Sequence, residues 1–217
     1  MPAPTIDELL IRDDSECWSE LGFAVLSARC QLGEVRVRFL DGPGARGIVG
    51  WSLRDLASTE LDGLATTRSE RPPPGPAHAH PNGVAAIDHI VAMSPSLDRS
   101  VRALQAAGLD LRRIREQPTP AGAPRQAFFR LGAEILELIQ EPDDALERDG
   151  GSDRPARFWG LAARVVDLDR TVQLLGPRSG SIRPAVQPGR RIATLRRSAG
   201  IAVPLALMSS EPASTGS

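Results

Sequence analysis

The chain has 217 residues, of which 41% are hydrophobic, and its formal net charge is −1. This length and composition suit one or two compact domains with a sizeable core. The chain contains no lysine, which excludes a Schiff-base lysine and the lysine of a phosphate-binding P-loop. The near-neutral charge gives no basis for a nucleic-acid or membrane partner, and no apolar run is long enough to span a bilayer.

The N-terminal residues lack the basic and apolar segments of a secretory signal, so we expect a cytoplasmic protein. The two cysteines, Cys17 and Cys30, are then expected to be free thiols rather than a disulfide. A catalytic Cys17 would need a positioned histidine, and none lies near it in the sequence.

The first part of the chain, residues 1–67, is predicted to form a degenerate N-terminal βαβββ-like module. Its segment Ile6–Leu10 resembles Ile87–Val91 in the pattern of apolar and charged residues. Residues 47–54 resemble the opening strand of a further unit. The alternative interpretation is a single amphipathic helix over residues 7–23.

Residues 68–84 are predicted to be an extended linker, because three consecutive prolines favour a polyproline conformation. Two histidines of this linker, His78 and His80, are expected to be exposed. A second break is predicted over residues 141–155, which are rich in charge and glycine. Residues 210–217 are predicted to be a disordered tail.

The segment 85–209 contains two copies of one unit. In each copy, a short apolar strand precedes a Leu-Asp-Arg-(Ser/Thr)-Val helix start, at residues 97–101 and 168–172. Alternating apolar residues then predict further strands, which end in the apolar runs 135–139 and 203–207. Each unit is therefore predicted to have the order βαβββ, and such a repeat constrains the fold strongly.

These paired units, with Asp-His-Ile-Val opening one at residues 88–91 and Leu-Glu-Leu closing it at 136–138, resemble the vicinal oxygen chelate superfamily. That superfamily includes glyoxalase I, bleomycin-resistance proteins, extradiol dioxygenases and methylmalonyl-CoA epimerase. The resemblance implies an α+β fold, in which tandem βαβββ modules form a curved, mostly antiparallel, cup-shaped sheet with helices on the convex face. It covers residues 85–209 and extends only faintly to the first 65 residues. It does not fix the function, because this fold hosts many unrelated chemistries.

The resemblance also implies where a divalent metal would lie. In the superfamily, metal ligands come from the first and last strands of each unit. His89 occupies the first-strand position and Glu137 the last-strand position of the first unit. The matching positions of the second unit hold Gly160 and Ala206, which cannot coordinate a metal.

Two protein ligands are fewer than the three that a catalytic divalent site usually keeps. A third ligand would come from Glu8, His78, His80 or a second subunit. Three interpretations of His89 and Glu137 therefore remain open. They are metal ligands, or a directly hydrogen-bonded acid/base pair without metal, or a histidine satisfied within the sheet beside a solvated carboxylate.

Other residues of the predicted cup have simpler interpretations. Asp88 is expected to face away from His89, because successive strand residues point to opposite faces. One of Phe128 and Phe129 should line the cup and the other the core. Arg125, Arg130 and Arg164 lie on cup strands, where one of them would pair with an anionic substrate or with Glu137, or all would form a solvated edge.

We therefore predict a glyoxalase-like protein that binds a small molecule in the cup and has an incomplete metal site. The alternative is a metal-dependent lyase, isomerase or epimerase, with His89 and Glu137 as both catalytic residues and ligands of a divalent metal cofactor. A purely structural partner protein is a third interpretation. Exposed sheet edges invite pairing, so we expect a homodimer, with neither nucleic acid nor membrane as a partner.

Overall fold

The computed structural model describes residues 3–118, 122 and 124–210, so the tail predicted to be disordered lies outside the described residues from 211 onward. The strands of this described part are β1 Thr5–Arg12, β2 Arg29–Leu32, β3 Val35–Phe39, β4 Gly47–Arg54, β5 Thr66–Arg68, β6 Val84–Ser94, β7 Asp110–Arg115, β8 Gln126–Leu131, β9 Glu134–Gln140, β10 Arg157–Val165, β11 Arg183–Pro184, β12 Arg191–Thr194 and β13 Leu205–Ser209. Its α-helices are α1 Ser15–Glu20, α2 Leu97–Ala106, α3 Asp143–Asp149 and α4 Leu168–Leu175. Within these ranges, every helix is too short or too polar to cross a bilayer.

An eight-stranded sheet is formed in the order β11-β12-β13-β10-β6-β9-β8-β7. It consists of two βαβββ units, in which the first strand pairs parallel with the last: β6 with β9, and β10 with β13. The two units join through the antiparallel pair β6 and β10, and the remaining pairs are antiparallel. The predicted α+β fold class and the mostly antiparallel sheet are confirmed.

The helices of the two units cover one face of this sheet. Helix α2 buries Leu97, Val101 and Leu104, which recur at helical spacing and therefore form one apolar stripe. Helix α4 likewise buries Leu168 and Leu175. Burial of each such side chain contributes about 1.5–3 kcal/mol. The strand residues that point away from the helices line the opposite face, which we call the central cup.

The N-terminal strands form a separate five-stranded sheet in the order β2-β3-β1-β4-β5. Strand β1 pairs parallel with β3 and antiparallel with β4, and β4 pairs parallel with β5. The strands β8-β9-β6-β10-β13 are paired in the same way. A single helix over residues 7–23 is wrong, because helix α1 begins only at Ser15, where Asp14 accepts a hydrogen bond from the backbone N–H of Glu16.

The two sheets share one continuous core of buried apolar residues. Trp51 of β4 packs edge to face against Phe158 of β10, with ring centroids 5.1 Å apart. The side chain of Arg99 on α2 donates to the Asp62 carboxylate at 2.8 Å, which joins the helix to the loop before β5. The N-terminal sheet therefore packs directly against the two-unit sheet and is not connected to it through the linker alone.

The proline-rich segment carries neither helix nor strand from residue 69 to residue 83, but it is anchored to the N-terminal sheet. His80 is only 7% exposed. Its Nδ1 accepts from the backbone N–H of Ala24 at 2.8 Å, and its Nε2 donates to the Gln31 carbonyl at 2.9 Å. The prediction that His80 is exposed is wrong because both ring nitrogens satisfy backbone groups, whereas His78 is exposed as expected.

Both cysteines are free, as predicted. Burial raises the pKa of Cys30 to about 12. Burial also raises the pKa of Cys17, and the nearby carboxylates of Asp14 and Glu20 raise it further. Neither thiol therefore has the thiolate character that a nucleophile or metal ligand needs.

The backbones of Gly160 and Pro204 approach each other so closely that the position needs glycine. A Cβ added at Gly160 would lie 2.5 Å from the Pro204 carbonyl oxygen. Real Cβ atoms do not approach that distance, so any larger residue would force β10 and the start of β13 apart.

We expect Gly160→Ala to lower the free energy of unfolding by about 1–3 kcal/mol, because the added methyl group overpacks this contact. Gly75→Ala is the control, since a Cβ at Gly75 would meet nothing within 4 Å. Its effect should stay within about 0.5 kcal/mol. Urea denaturation of both variants measures the difference, and equal stabilities would contradict the close approach.

Candidate functional site

A β-bulge in strand β6 sets the geometry of the candidate site. His89 lies opposite Ala162 and Ile87 opposite Ala163, so Asp88 has no partner residue on β10. Such an extra residue interrupts the alternation of side chains and re-aims one of them. Asp88 Oδ2 consequently lies 2.9 Å from His89 Nδ1. The expectation that Asp88 faces away from His89 is wrong for this reason.

Asp88 has a second partner, Arg190, from the C-terminal part of the chain. The guanidinium of Arg190 donates to Asp88 Oδ1 at 2.6 Å and to the Ser209 carbonyl at 3.1 Å. Burial alone would raise the pKa of Asp88, but the hydrogen bonds from His89 and Arg190 outweigh it and lower that pKa to about 2. Asp88 is therefore a carboxylate that only accepts hydrogen bonds, so Nδ1 of His89 carries the proton.

The Nε2 atom of His89 faces Glu137, and its distance to Glu137 Oε2 is 3.4 Å. Glu137 comes from β9, where it lies beside Val91 in the parallel register. Burial raises the pKa of Glu137, while the charges of His89 and Arg115 partly oppose this. A bare Nε2 lone pair and a carboxylate would repel each other. The contact is therefore favourable when one proton is shared by the two groups, as in an acid/base pair.

Gln126 on β8 is a site residue that the sequence interpretation missed. It is 6% exposed, and its Nε2 donates to Glu137 Oε1. Its Oε1 is buried and has no hydrogen-bond partner in the described part of the chain. The available signal was the alternation of β8, in which Ala127 and Phe129 are buried towards the helices. That alternation places Gln126 and the half-buried Phe128 on the cup face.

Arginines border this polar centre. Arg113 lies over the ring of Phe128, with its guanidinium carbon 4.9 Å from the ring centroid. Arg115 is near enough to Glu137 to oppose the rise in that pKa. Arg130 and Arg164 share the cup face by register, opposite Ile135 and Ala86 respectively. Because these arginines lie on β7, β8 and β10, positive charge borders the polar centre on both sides.

Within the described residues, the matching positions on the opposite wall of the central cup, formed by β10 and β13, carry no ligating side chain. Ala162 lies directly opposite His89, and Gly160 lies opposite Val91. Ala206, the remaining superfamily position, pairs with Ala162 in the parallel register. No larger side chain fits at Gly160 without moving the Pro204 backbone.

Two of the other candidate ligands, Glu8 and His80, are committed elsewhere, whereas His78 is exposed. Glu8 pairs with Arg38 and Arg71 in the five-stranded sheet, at 3.2 and 3.4 Å. His80 uses both ring nitrogens for backbone contacts. Across the described ranges, no group of three or more His, Cys, Asp or Glu side chains could hold a metal ion. These residues therefore do not fit a divalent metal that the chain alone would hold.

Comparison with known proteins adds structural similarity only. No protein-family model matches the chain, and no curated protein matches it in sequence. A xylose isomerase-like TIM barrel/4-hydroxyphenylpyruvate dioxygenase fusion protein aligns with a TM-score of 0.61 and 12% identity, covering 100% of this chain and 51% of its own. The chain thus spans about half the length of that protein.

A smaller similarity involves methylmalonyl-CoA epimerase from Mycobacterium tuberculosis. It aligns with a TM-score of 0.47 and 21% identity, covering 60% of this chain and 91% of its own. At such identities the comparisons bear on the fold alone. Together, the paired βαβββ units and the full-length structural match show that the chain has the vicinal oxygen chelate fold, as the resemblance implied.

Proposed function

We propose that the central cup binds a small anionic molecule, and that the protein is a glyoxalase-like binding module with an incomplete metal site. The observation that carries this proposal is the polar centre formed by His89, Glu137 and Gln126. One of its buried oxygens, Gln126 Oε1, has no partner within the described chain. An unsatisfied buried acceptor costs about 1–3 kcal/mol. A ligand that donates a hydrogen bond there would recover that free energy.

The surroundings of this centre define the chemistry of the ligand. Phe128 and Ile135, both half-buried, supply apolar lining, while Arg113 and Arg115 supply positive charge. A few convergent polar groups within apolar walls are typical of small-molecule sites. A small ligand with a hydroxyl group next to its carboxylate fits this arrangement. Its carboxylate would face Arg115, and its hydroxyl would donate to Gln126.

We expect saturable binding of a hydroxycarboxylate in chelator-containing buffer. The probes are L-lactate and L-malate, measured by calorimetric titration and by the shift in thermal midpoint. His89→Gln and Arg115→Gln should each weaken binding roughly tenfold or more, because each removes a charged or polar contact. Arg102→Gln, on the exposed side of α2, is the matched control and should bind as the wild type does.

Absence of saturable binding of both probes to the wild type would contradict this assignment. So would equal weakening in Arg102→Gln, since that result would indicate a general charge effect rather than a site in the cup.

Asp88 is proposed to position His89, which predicts a pH-dependent effect on stability. The folded pKa of about 2 lies below the ordinary value of about 3.9, so the contribution is present above pH 4 and is lost as the pH falls towards 2. Asp88→Asn should lower the free energy of unfolding by about 2 kcal/mol at pH 7, and by progressively less below pH 4.

Denaturant titrations at several pH values measure this difference. Asp169→Asn is the control, because Asp169 also pairs with an arginine, Arg191, but on the exposed surface. A wild-type-minus-variant difference for Asp88→Asn that stays constant from pH 7 to pH 3 would argue against the proposed pairing.

A second candidate is a metal-dependent lyase, isomerase or epimerase that uses His89 and Glu137. The contact between Asp88 and His89 Nδ1 favours it, because metal-binding histidines commonly donate their other ring N–H to a carboxylate. The missing ligands would then have to come from substrate, solvent or a second subunit. The homodimer and the cytoplasmic location likewise remain predictions.

Metal content separates the two candidates. For the binding module, we expect less than stoichiometric metal in protein purified without chelator, and an unchanged thermal midpoint on adding Ni, Zn, Mn or Fe. Elemental analysis and thermal-shift assays measure both quantities. Stoichiometric metal that is lost in both His89→Gln and Glu137→Gln would establish the metal-dependent candidate instead.

A further inference from the structure

The five-stranded sheet repeats the backbone of the central cup residue by residue. In β1, Ile6 lies opposite Leu53 and Glu8 lies opposite Ser52, so Asp7 is the extra residue of a β-bulge. The same arrangement surrounds Asp88 in β6. The register therefore equates Glu8 with His89.

The equivalence extends to the neighbouring strands. Arg38 lies beside Leu10 in the parallel pair of β1 and β3, as Glu137 lies beside Val91. Gly50 of β4 occupies the place of Gly160, and it also approaches a carbonyl oxygen closely. An added Cβ would lie 3.1 Å from the Ala65 oxygen. The five-stranded sheet thus has a cup of its own, with different side chains at the matching positions.

This N-terminal cup is an open hollow of about 410 Å³. Its lining includes Glu8, Arg29, Arg38, Ser52, Thr67 and Arg71. The segment after β5 crosses its mouth, because Arg71 reaches back to Asp7 at 2.6 Å and Arg36 donates to the Pro72 carbonyl at 3.1 Å. The hollow is therefore bounded by the sheet and by the segment after β5, and it is not a gap between loops.

Positive charge exceeds negative charge in this hollow. The buried carboxylate of Asp7 is already paired with Arg36, Arg54 and Arg71, which fixes those guanidinium groups. Of the other lining arginines, Arg68 donates to the Ala57 carbonyl at 3.2 Å, whereas Arg29 and Arg38 lie directly opposite each other in the β2–β3 pair. Like charges in directly opposed positions destabilise a sheet.

The two opposed arginines also have unused donors. Arg29 forms no ion pair with any described residue. Arg38 contacts Glu8 through one terminal nitrogen at 3.2 Å, and its buried Nε has no partner in the part of the chain that the structure describes. An oxyanion between these side chains would accept hydrogen bonds from both and relieve their repulsion.

We propose that the N-terminal cup is a second ligand site, in which Arg29 and Arg38 bind the phosphate or carboxylate group of a small molecule. Ser52 and Thr67 line the same cup, but their hydroxyls already donate to Asp7 Oδ2 and to the Trp51 carbonyl, so the two arginines supply the donors. The site is independent of the central cup, because it shares no residue with the centre formed by His89, Glu137 and Gln126.

The test uses the full chain and two probes, inorganic phosphate and succinate, titrated at constant ionic strength against sodium chloride. The first probe represents a phosphorylated ligand and the second a carboxylated ligand. Calorimetric titration and thermal-midpoint shifts should show saturable binding of at least one probe. Arg29→Gln and Arg38→Gln should each weaken that binding roughly tenfold to a hundredfold, since each removes charged hydrogen bonds.

Two controls locate the binding. Arg183→Gln removes an exposed arginine from the edge strand β11, and His89→Gln alters the central cup. Both should bind the probe as the wild type does. Arg29 is exposed at the edge of the N-terminal sheet, so we expect Arg29→Gln to fold. This variant therefore tests the proposal even if Arg38→Gln fails to fold.

Three results would overturn the proposal. The first is no saturable binding of either probe to the wild type. The second is unchanged binding in Arg29→Gln. The third is a loss in His89→Gln that equals the loss in Arg29→Gln, because that would place the anion in the central cup. Failure of hydroxycarboxylate binding at the central cup leaves these outcomes unchanged, so the two sites are tested separately.

Discussion

The β-bulge at Asp88 is the constraint on which the candidate site depends. Without the extra residue, alternation would send the Asp88 carboxylate towards the helices and the apolar core, where an unpaired charge is costly. With it, Asp88 contacts both His89 and Arg190 on the cup side. The carboxylate then fixes the proton on His89 Nδ1 and leaves Nε2 facing Glu137. One local irregularity of the backbone therefore determines which ring nitrogen is available for chemistry.

The same irregularity occurs in all four opening strands of the structure that pair in this way. Asp7, Val49, Asp88 and Trp159 each lack a partner in the β1–β4 and β6–β10 pairs, and Ala85 is a further residue of β6 without one. Two of these residues are aspartates that form ion pairs with arginines. Asp7 pairs with three arginines and Asp88 with one. Repetition of the backbone thus supplies two equivalent cups. The side chains at the matching positions, His89 with Glu137 and Glu8 with Arg38, give each cup its own charge.

Close backbone approach accounts for a glycine in one wall of each cup. An added Cβ would lie 2.5 Å from the Pro204 carbonyl oxygen at Gly160 and 3.1 Å from the Ala65 carbonyl oxygen at Gly50, so a side chain is excluded at Gly160 and disfavoured at Gly50. In the central cup, the strand spacing therefore keeps a ligating side chain away from position 160. A polar side facing a blank side is consistent with the proposed binding of a small organic anion in the central cup.

The sequence by itself determined the repeated βαβββ units, because apolar periodicity and the recurring Leu-Asp-Arg helix starts are local properties of the chain. It also located His89 and Glu137 through the resemblance, and identified two free thiols. Only the tertiary structure decided the direction of Asp88, the burial of His80 and the part played by Gln126. Alternation is a local rule, whereas a bulge depends on the register with β10. Arg190 reaches Asp88 across 102 positions of sequence. Contacts of that separation are fixed by how the strands pair, and no local pattern encodes them.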